Sequence, residues 1–124
     1  MPLSTIADAP EFTNHGFTFR PLAVPSRGSS QLAIWALEIA PAAVSEVHSM
    51  DREEVFVVVT GKVSATVGGQ EVEAGPGDAI IVPAGELLQI RSACPESPAT
   101  LTAATSVGMK ATVGAATFPP PWAQ

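Results

Sequence analysis

Glycine and proline occur so often in this chain that no long regular element can persist. The 124 residues include ten glycines and twelve prolines, which divide the sequence into short segments. No apolar stretch keeps a helical period over several turns, as an amphipathic helix requires. The sequence therefore predicts an all-β protein made of short strands, with turns at the glycines and prolines.

Length and composition favour one globular domain over residues 1–124. The chain is 46% hydrophobic and 15% charged, which is too apolar for a disordered segment. No apolar run is long enough to cross a bilayer, so a membrane is not an expected partner. Twelve acidic and six basic residues give a net charge of -6, which would repel a phosphate backbone and disfavours nucleic acid.

Cysteine content and the start of the chain indicate the cellular compartment. A single cysteine, Cys94, excludes an internal disulfide, and we expect an inert thiol in a loop. The first residues lack the basic and apolar regions of a signal peptide. We therefore predict a cytoplasmic protein.

Alternation and turn residues predict a series of strands with tight connections. The predicted strands cover residues 17–22, 32–39, 44–50, 54–60, 63–67, 71–73, 79–82, 87–91 and 101–105. Gly68-Gly69 is a strong two-residue hairpin signal. Residues 51–53 and 83–85 are interpreted as the turns of two further hairpins. Strands of this length and spacing are typical of a sandwich or barrel.

Both ends of the chain flank a predicted core over about residues 30–105. A first strand lies within about residues 12–24, and an extended tail is expected over about 112–124. Residues 118–122 read Phe-Pro-Pro-Pro-Trp and should be polyproline-like rather than a strand. We expect Phe118 and Trp122 to pack over an apolar edge. A functional lid and a tail exchanged with a second subunit are the alternatives.

One segment resembles the first signature of the cupin superfamily. That signature reads as a glycine, five residues, H-x-H, three or four residues, a glutamate, six residues and a glycine. His48, Glu54 and Gly61 fall in register with it. Met50 stands in place of the second histidine, and Ala42 in place of the first glycine.

The second cupin signature is also present, with one departure. Gly77, Pro83 and Gly85 match a glycine, five residues and then P-x-G. The histidine that should follow Gly85 by three residues is Leu88. The resemblance implies a single-domain cupin-type β-barrel, a jelly-roll-like double-stranded β-helix. It implies no single activity, because similar proteins include isomerases, cyclases, dioxygenases and binding proteins.

Strand alternation brings the matching residues to one pocket. His48 and Met50 point the same way along their strand. If residues 51–53 form a turn, Glu54 lies opposite Met50 and diagonal to His48. The expected apolar lining of this pocket consists of Met50, Phe56, Val58, Leu88 and Ile90.

The substitutions argue against a metal cofactor. The resemblance implies metal at positions 48, 50, 54 and 88, but one imidazole, one carboxylate, a thioether and an alkyl group suit no common divalent ion. His48 and Glu54 remain weak candidate ligands. We predict that no cofactor is bound.

Three functions remain open. The first is a metal-independent enzyme, such as an isomerase or cyclase of a biosynthetic pathway, in which His48 and Glu54 exchange protons with a small apolar substrate. The second is a module that binds an apolar ligand without changing it. The third is a protein that retains metal weakly. A structural histidine hydrogen-bonded to Glu54 is the alternative to any active role for His48. Burying a titratable pair is costly unless it is used, which favours the enzyme.

Two predicted strands are apolar on both faces, which suggests an additional covering layer. We predict a homodimer, as is common among proteins that resemble this family. On one strand, Trp35, Leu37 and Ile39 lie on one face and Leu32, Ile34 and Ala36 on the other; on the second, the odd-numbered Val55, Val57 and Val59 show the same apolar excess.

Overall fold

The computed structural model describes residues 2–124, and these form an all-β structure, as predicted. Short 3-10 turns cover Ile6–Asp8, Pro25–Arg27 and Pro121–Ala123. The strands are β1 (Phe12–Asn14), β2 (Phe17–Ala23), β3 (Leu32–Ile39), β4 (Ser49–Met50), β5 (Glu54–Thr60), β6 (Val63–Val67), β7 (Gln70–Ala74), β8 (Ala79–Val82), β9 (Leu88–Ser92), β10 (Ala99–Ser106), β11 (Ala111–Val113) and β12 (Ala116–Phe118).

The strands form three antiparallel sheets. The largest has the order β1-β2-β3-β10-β5-β8, and the smaller two have the orders β12-β11-β4 and β7-β6-β9. A reciprocal pair of backbone hydrogen bonds between His48 and Leu88, of 3.0 and 2.7 Å, joins the two small sheets. The two small sheets are thereby connected at His48, directly before the start of β4.

Alternation along the strands determines which side chains enter the core. On β3 the odd-numbered residues, including Trp35, are buried, whereas Leu32 is exposed. On β5 the even-numbered residues Glu54, Phe56 and Val58 are buried. Successive side chains of a strand point to opposite faces, so each of these strands gives one face to the core.

Positive φ angles explain two of the signature positions. Ala42 has φ +65°, a left-handed conformation that favours glycine, and it occupies the position where the signature has glycine. Gly61 has φ +77°, and a Cβ there would lie 2.7 Å from the carbonyl oxygen of Pro98. The backbone of the signature is therefore kept even where its first glycine is absent.

The Gly68-Gly69 hairpin is confirmed, but two other predicted hairpins are wrong. Strand β4 pairs with β11 and not with β5, and Met50 lies opposite Ala111. Glu54 pairs with Thr105 and Val82, not with Met50. The reason lies in the connection, because the Asp51 side chain accepts a hydrogen bond from the Lys110 backbone. That bond holds the chain to the β11 side after β4.

Residues 83–85 also connect two sheets rather than closing a hairpin. Strand β8 pairs with β5, whereas β9 pairs with β6. The Gly85 backbone N–H donates to the Met50 carbonyl oxygen at 2.7 Å, which directs the chain towards β4. The predicted long strand over 44–50 is reduced to Ser49–Met50 plus isolated pairings of Val44 and His48.

The extended, polyproline-like tail predicted over 112–124 is wrong in two places, because a hairpin occupies its first half and Pro121–Ala123 form a 3-10 turn. Strands β11 and β12 form a hairpin around Gly114-Ala115, in which Gly114 has φ +59°. A glycine at the first central position of a two-residue turn is typical of such hairpins. Phe118 therefore ends a strand, and only the prolines after it leave the sheet. No helix within residues 2–124 is long and apolar enough to cross a membrane.

Candidate functional site

An aromatic cavity of about 110 Å³ lies among the sheets. Six of the seven aromatic side chains of the protein line it. They come from β2, β3, β5, β12 and the last 3-10 turn, and are Phe17, Phe19, Trp35, Phe56, Phe118 and Trp122. Within the described chain, neither lysine nor arginine lines the cavity. The cavity therefore suits an uncharged, largely apolar molecule.

Glu54 brings a carboxyl group into this apolar surrounding. It begins β5, and only 3% of the residue is exposed. Desolvation by burial raises the pKa of Glu54 from 4.5 to about 8, because an apolar surrounding disfavours the charged form. At neutral pH the group is mostly a carboxylic acid, which can donate a proton as well as accept a hydrogen bond.

His48 is half-buried at the same cavity, and its tautomer follows from one contact. Its Nδ1 atom lies 2.7 Å from the Glu46 carbonyl oxygen. Since a carbonyl oxygen only accepts, Nδ1 carries the hydrogen, and Nε2 of the neutral ring is left with a free electron pair. The structure gives the His48 ring a hydrogen bond to the Glu46 backbone, and its described hydrogen bonds include none to Glu54.

Five of the seven predicted site residues line the cavity. These are His48, Met50, Glu54, Phe56 and Ile90. The predicted cross-strand contact between Met50 and Glu54 is absent, but strands from different sheets bring both to the same space. Val58 and Leu88 are 1% and 0% exposed and belong to the core without lining the cavity.

Comparison with known proteins identifies the family. The family model of the cupin domain matches residues 35–105, which is more than half of the chain. The chain belongs to the cupin family. A search of curated proteins finds no significant match to this sequence.

Several solved cupin structures have a similar fold. The polyketide cyclase RemF from Streptomyces resistomycificus has a TM-score of 0.75 and 20% identity, with 96% of this chain and 82% of that chain covered. An RmlC-like cupin from Shewanella frigidimarina has a TM-score of 0.73 and 20% identity, with 86% and 90% covered. KdgF from a Halomonas species has a TM-score of 0.73 and 16% identity, with 86% and 93% covered. These similarities concern the fold.

The donor set of this cupin does not fit a divalent metal ion. Across residues 2–124, no three His, Cys, Asp or Glu side chains are grouped so that they could hold an ion. The remaining signature positions, Met50 and Leu88, are 3% and 0% exposed and fill apolar space. One imidazole and one carboxyl group leave most coordination positions without a suitable ligand. That the protein works without a cofactor stays a prediction.

Sequence reasoning missed the part of the wall that lies outside the signatures. Asn14 and His15 line the cavity from the β1–β2 turn, and Met109 lines it ahead of β11. His15 has φ +50° beside Gly16 at +85°, a pair of angles typical of a two-residue hairpin turn. Nothing in the sequence indicated that this turn borders the cavity. The concentration of aromatic residues at both ends of the chain was the available signal.

Proposed function

We propose that this cupin is an enzyme that moves protons on a small, uncharged, largely apolar molecule held inside the barrel. The reaction class is that of an isomerase or cyclase, and no metal takes part. The observation that carries the proposal is one cavity bordered by a buried carboxylic acid, Glu54, and by His48 with its Nδ1 atom already bonded. The alternative of a pure binding module leaves the burial of the Glu54 carboxyl group unexplained.

The two groups offer complementary roles in proton transfer. Nε2 of His48 has the electron pair of a general base, and Glu54 has the proton of a general acid. In the proposed reaction, Nε2 removes a proton from the carbon next to a carbonyl group, while Glu54 donates to the carbonyl oxygen. The product is an enol, and no oxidant or reductant is needed. Return of a proton at another carbon gives an isomer, and attack by the enol carbon on a second carbonyl closes a ring.

Cavity chemistry and the comparisons support this class of substrate. A cavity without lysine or arginine in its described lining gives no partner to an anionic ligand. Met50 and Ile90 add apolar surface to the aromatic wall. RemF, with the same fold, is a polyketide cyclase, so a protein of this architecture can be a ring-closing enzyme.

Exchange of hydrogen for deuterium tests the proposal without knowledge of the natural substrate. The probe is 2-tetralone, a neutral ketone with an aromatic ring, incubated with the protein in D₂O and followed by proton NMR. We expect the protein to accelerate exchange next to the carbonyl group. His48→Ala and Glu54→Gln should each slow the catalysed exchange by about 10²–10⁴-fold, the usual contribution of a positioned acid or base.

Glu53→Gln is the matched control, because Glu53 is the exposed neighbour of Glu54 in the chain. Its exchange rate should equal that of the unmodified protein. Bound 2-tetralone with equal exchange rates in all variants would contradict catalysis and favour the binding module. For that module, Phe56→Ala should weaken the binding of 2-tetralone, because Phe56 lines the cavity.

We further infer that the protein forms a homodimer through the outer face of its largest sheet. Several large apolar side chains on this face are exposed: Leu32 at 56%, Val57 at 39%, Val59 at 52% and Ile81 at 60%. Val55 is the cross-strand partner of Ile81, so the strands β5 and β8 form one continuous patch. Pairing with a second copy would bury this patch against an identical apolar surface.

A further inference from the structure

The wall of the cavity contains a pair of aromatic rings that are stacked nearly parallel to each other. The rings of Phe19 and Trp122 are 3.7 Å apart between centroids, with an angle of 9° between their planes. Phe19 lies on β2, whereas Trp122 lies in the 3-10 turn that follows the last strand. Both rings line the cavity and both are half-buried. Two elements far apart in the chain therefore bring two parallel faces together beside the ligand space.

The segment that carries Trp122 has few backbone bonds to the sheets. Residues 119–121 are three prolines, which have no N–H to donate. Gln124 gives one link to the rest of the protein, since its carbonyl oxygen accepts from the Ser26 backbone N–H at 3.0 Å. The Gln124 side chain bonds back to Pro120 within the same segment. The buried Pro120 and Ala123 hold the backbone of this segment, whereas the Trp122 side chain makes no hydrogen bond among the described residues, so its ring can turn away from Phe19 without breaking one.

We propose that Phe19 and Trp122 form a clamp that opens to hold a planar aromatic ring of the ligand between them. The two rings now touch each other with one face each. An inserted flat ring would replace that one contact by two stacked contacts, one on each side. A puckered saturated ring cannot approach both faces at stacking distance. The clamp therefore selects planar aromatic ligands, a narrower class than apolar molecules in general.

The clamp specifies the substrate class of the proposed function and rests on the same cavity. Its role is in binding and selection, whereas His48 and Glu54 supply the chemistry. The two ideas can fail separately. If the protein accelerates exchange of 2-tetralone but does not prefer planar ligands, the clamp alone is overturned. Planar selectivity without exchange would overturn the enzyme and leave the clamp.

Calorimetric titration with two alcohols of the same carbon skeleton tests the clamp. The planar probe is 2-naphthol, and the puckered one is decahydro-2-naphthol. We expect the unmodified protein to bind 2-naphthol at least tenfold more tightly. Trp122→Leu should bring this ratio close to one, mainly by weakening 2-naphthol, whereas Trp122→Phe should keep most of it. Equal ratios in the unmodified protein and Trp122→Leu, or no binding of 2-naphthol at all, would overturn the proposal.

Phe118→Leu is the matched control, since Phe118 also lines the cavity but is not one of the two stacked rings. It should change the affinity for both alcohols to a similar extent and leave their ratio unchanged. Phe19→Leu removes the other side of the clamp and replaces Trp122→Leu if that variant does not fold. Nuclear Overhauser contacts give a direct readout: 2-naphthol should contact both rings, and the Phe19–Trp122 contact should weaken. A persistent Phe19–Trp122 contact in the complex would contradict insertion.

Discussion

Both faces of the six-stranded sheet carry large apolar side chains, yet they differ in what accompanies these residues. The inner face borders the cavity and includes one carboxyl group, that of Glu54, which is 3% exposed. The outer face exposes Val57 at 39% and Ile81 at 60%. One face thus places a titratable group where water is scarce, and the other leaves apolar surface in water. The first arrangement is typical of a reactive site, and the second of an interface.

The largest expected difference between the two faces is the pH dependence of the free energy of unfolding that Glu54 causes. Its carboxyl pKa is raised from 4.5 to about 8 by burial. The stability that depends on the neutral acid is complete below pH 4.5 and is lost as the pH rises towards 8. The free energy of unfolding should fall by about 1.4 kcal/mol per pH unit in this range, or about 4 kcal/mol from pH 5 to pH 8.

Urea unfolding of Glu54→Gln measures this effect, because glutamine cannot ionise. The variant should lack the slope and be the more stable protein at pH 8. His15, Glu46 and His48 also line the cavity and remain in both proteins, so the difference between the two profiles isolates Glu54. Glu53→Gln, on the exposed neighbour, should keep the full slope. Parallel pH profiles for Glu54→Gln and the unmodified protein would contradict a buried neutral acid.

Two adjacent isoleucines on β8 sharpen the comparison of the faces. Ile80 is 4% exposed and Ile81 is 60% exposed, so the same substitution tests opposite sides of one strand. Ile80→Ala should lower the free energy of unfolding by about 3 kcal/mol, since it leaves a cavity in the core. Ile81→Ala should lower it by about 0.5 kcal/mol or less in dilute, monomeric protein. Similar losses for the two variants, measured by urea unfolding, would refute the assignment of faces.

The smallest expected effect concerns association through the outer face. Val57→Lys places a charge within the exposed patch and should raise the dimer dissociation constant at least tenfold, or about 1.4 kcal/mol. Sedimentation velocity over a dilution series measures this constant. Gln70→Lys, at an exposed position on β7, should have no effect. A monomer at every concentration, or equal association of both variants, would exclude this face as the dimer interface.

Most strand positions followed from alternation and from turn residues. Strand β3 has the predicted bounds of 32–39, and the Gly68-Gly69 turn lies where it was predicted. The cupin signatures also predicted the family that the domain match confirms. These features are local, since the period of a strand and the positive φ of a glycine depend on a few neighbouring residues.

The pairing of strands could not be obtained in the same way. Residues 51–53 and 83–85 have the composition of hairpin turns, but both segments cross between sheets. Their paths depend on the Asp51–Lys110 and Gly85–Met50 hydrogen bonds, which join residues distant in sequence. The aromatic wall depends on the same long-range pairing. His48, Glu54 and Met50 were nevertheless predicted to share one pocket, although the predicted reason, a hairpin register, was wrong.

The protonation state of Glu54 is the central claim, and carbon NMR measures it directly. Protein labelled with ¹³C at the glutamate carboxyl carbon, with Glu54→Gln used to assign the signal, can be titrated across the stable pH range. We predict that the Glu54 carboxyl carbon titrates with a midpoint of about 8, so that the group is mostly neutral at pH 7. A midpoint near the ordinary 4.5 would show a charged carboxylate at neutral pH and contradict its role as a proton donor.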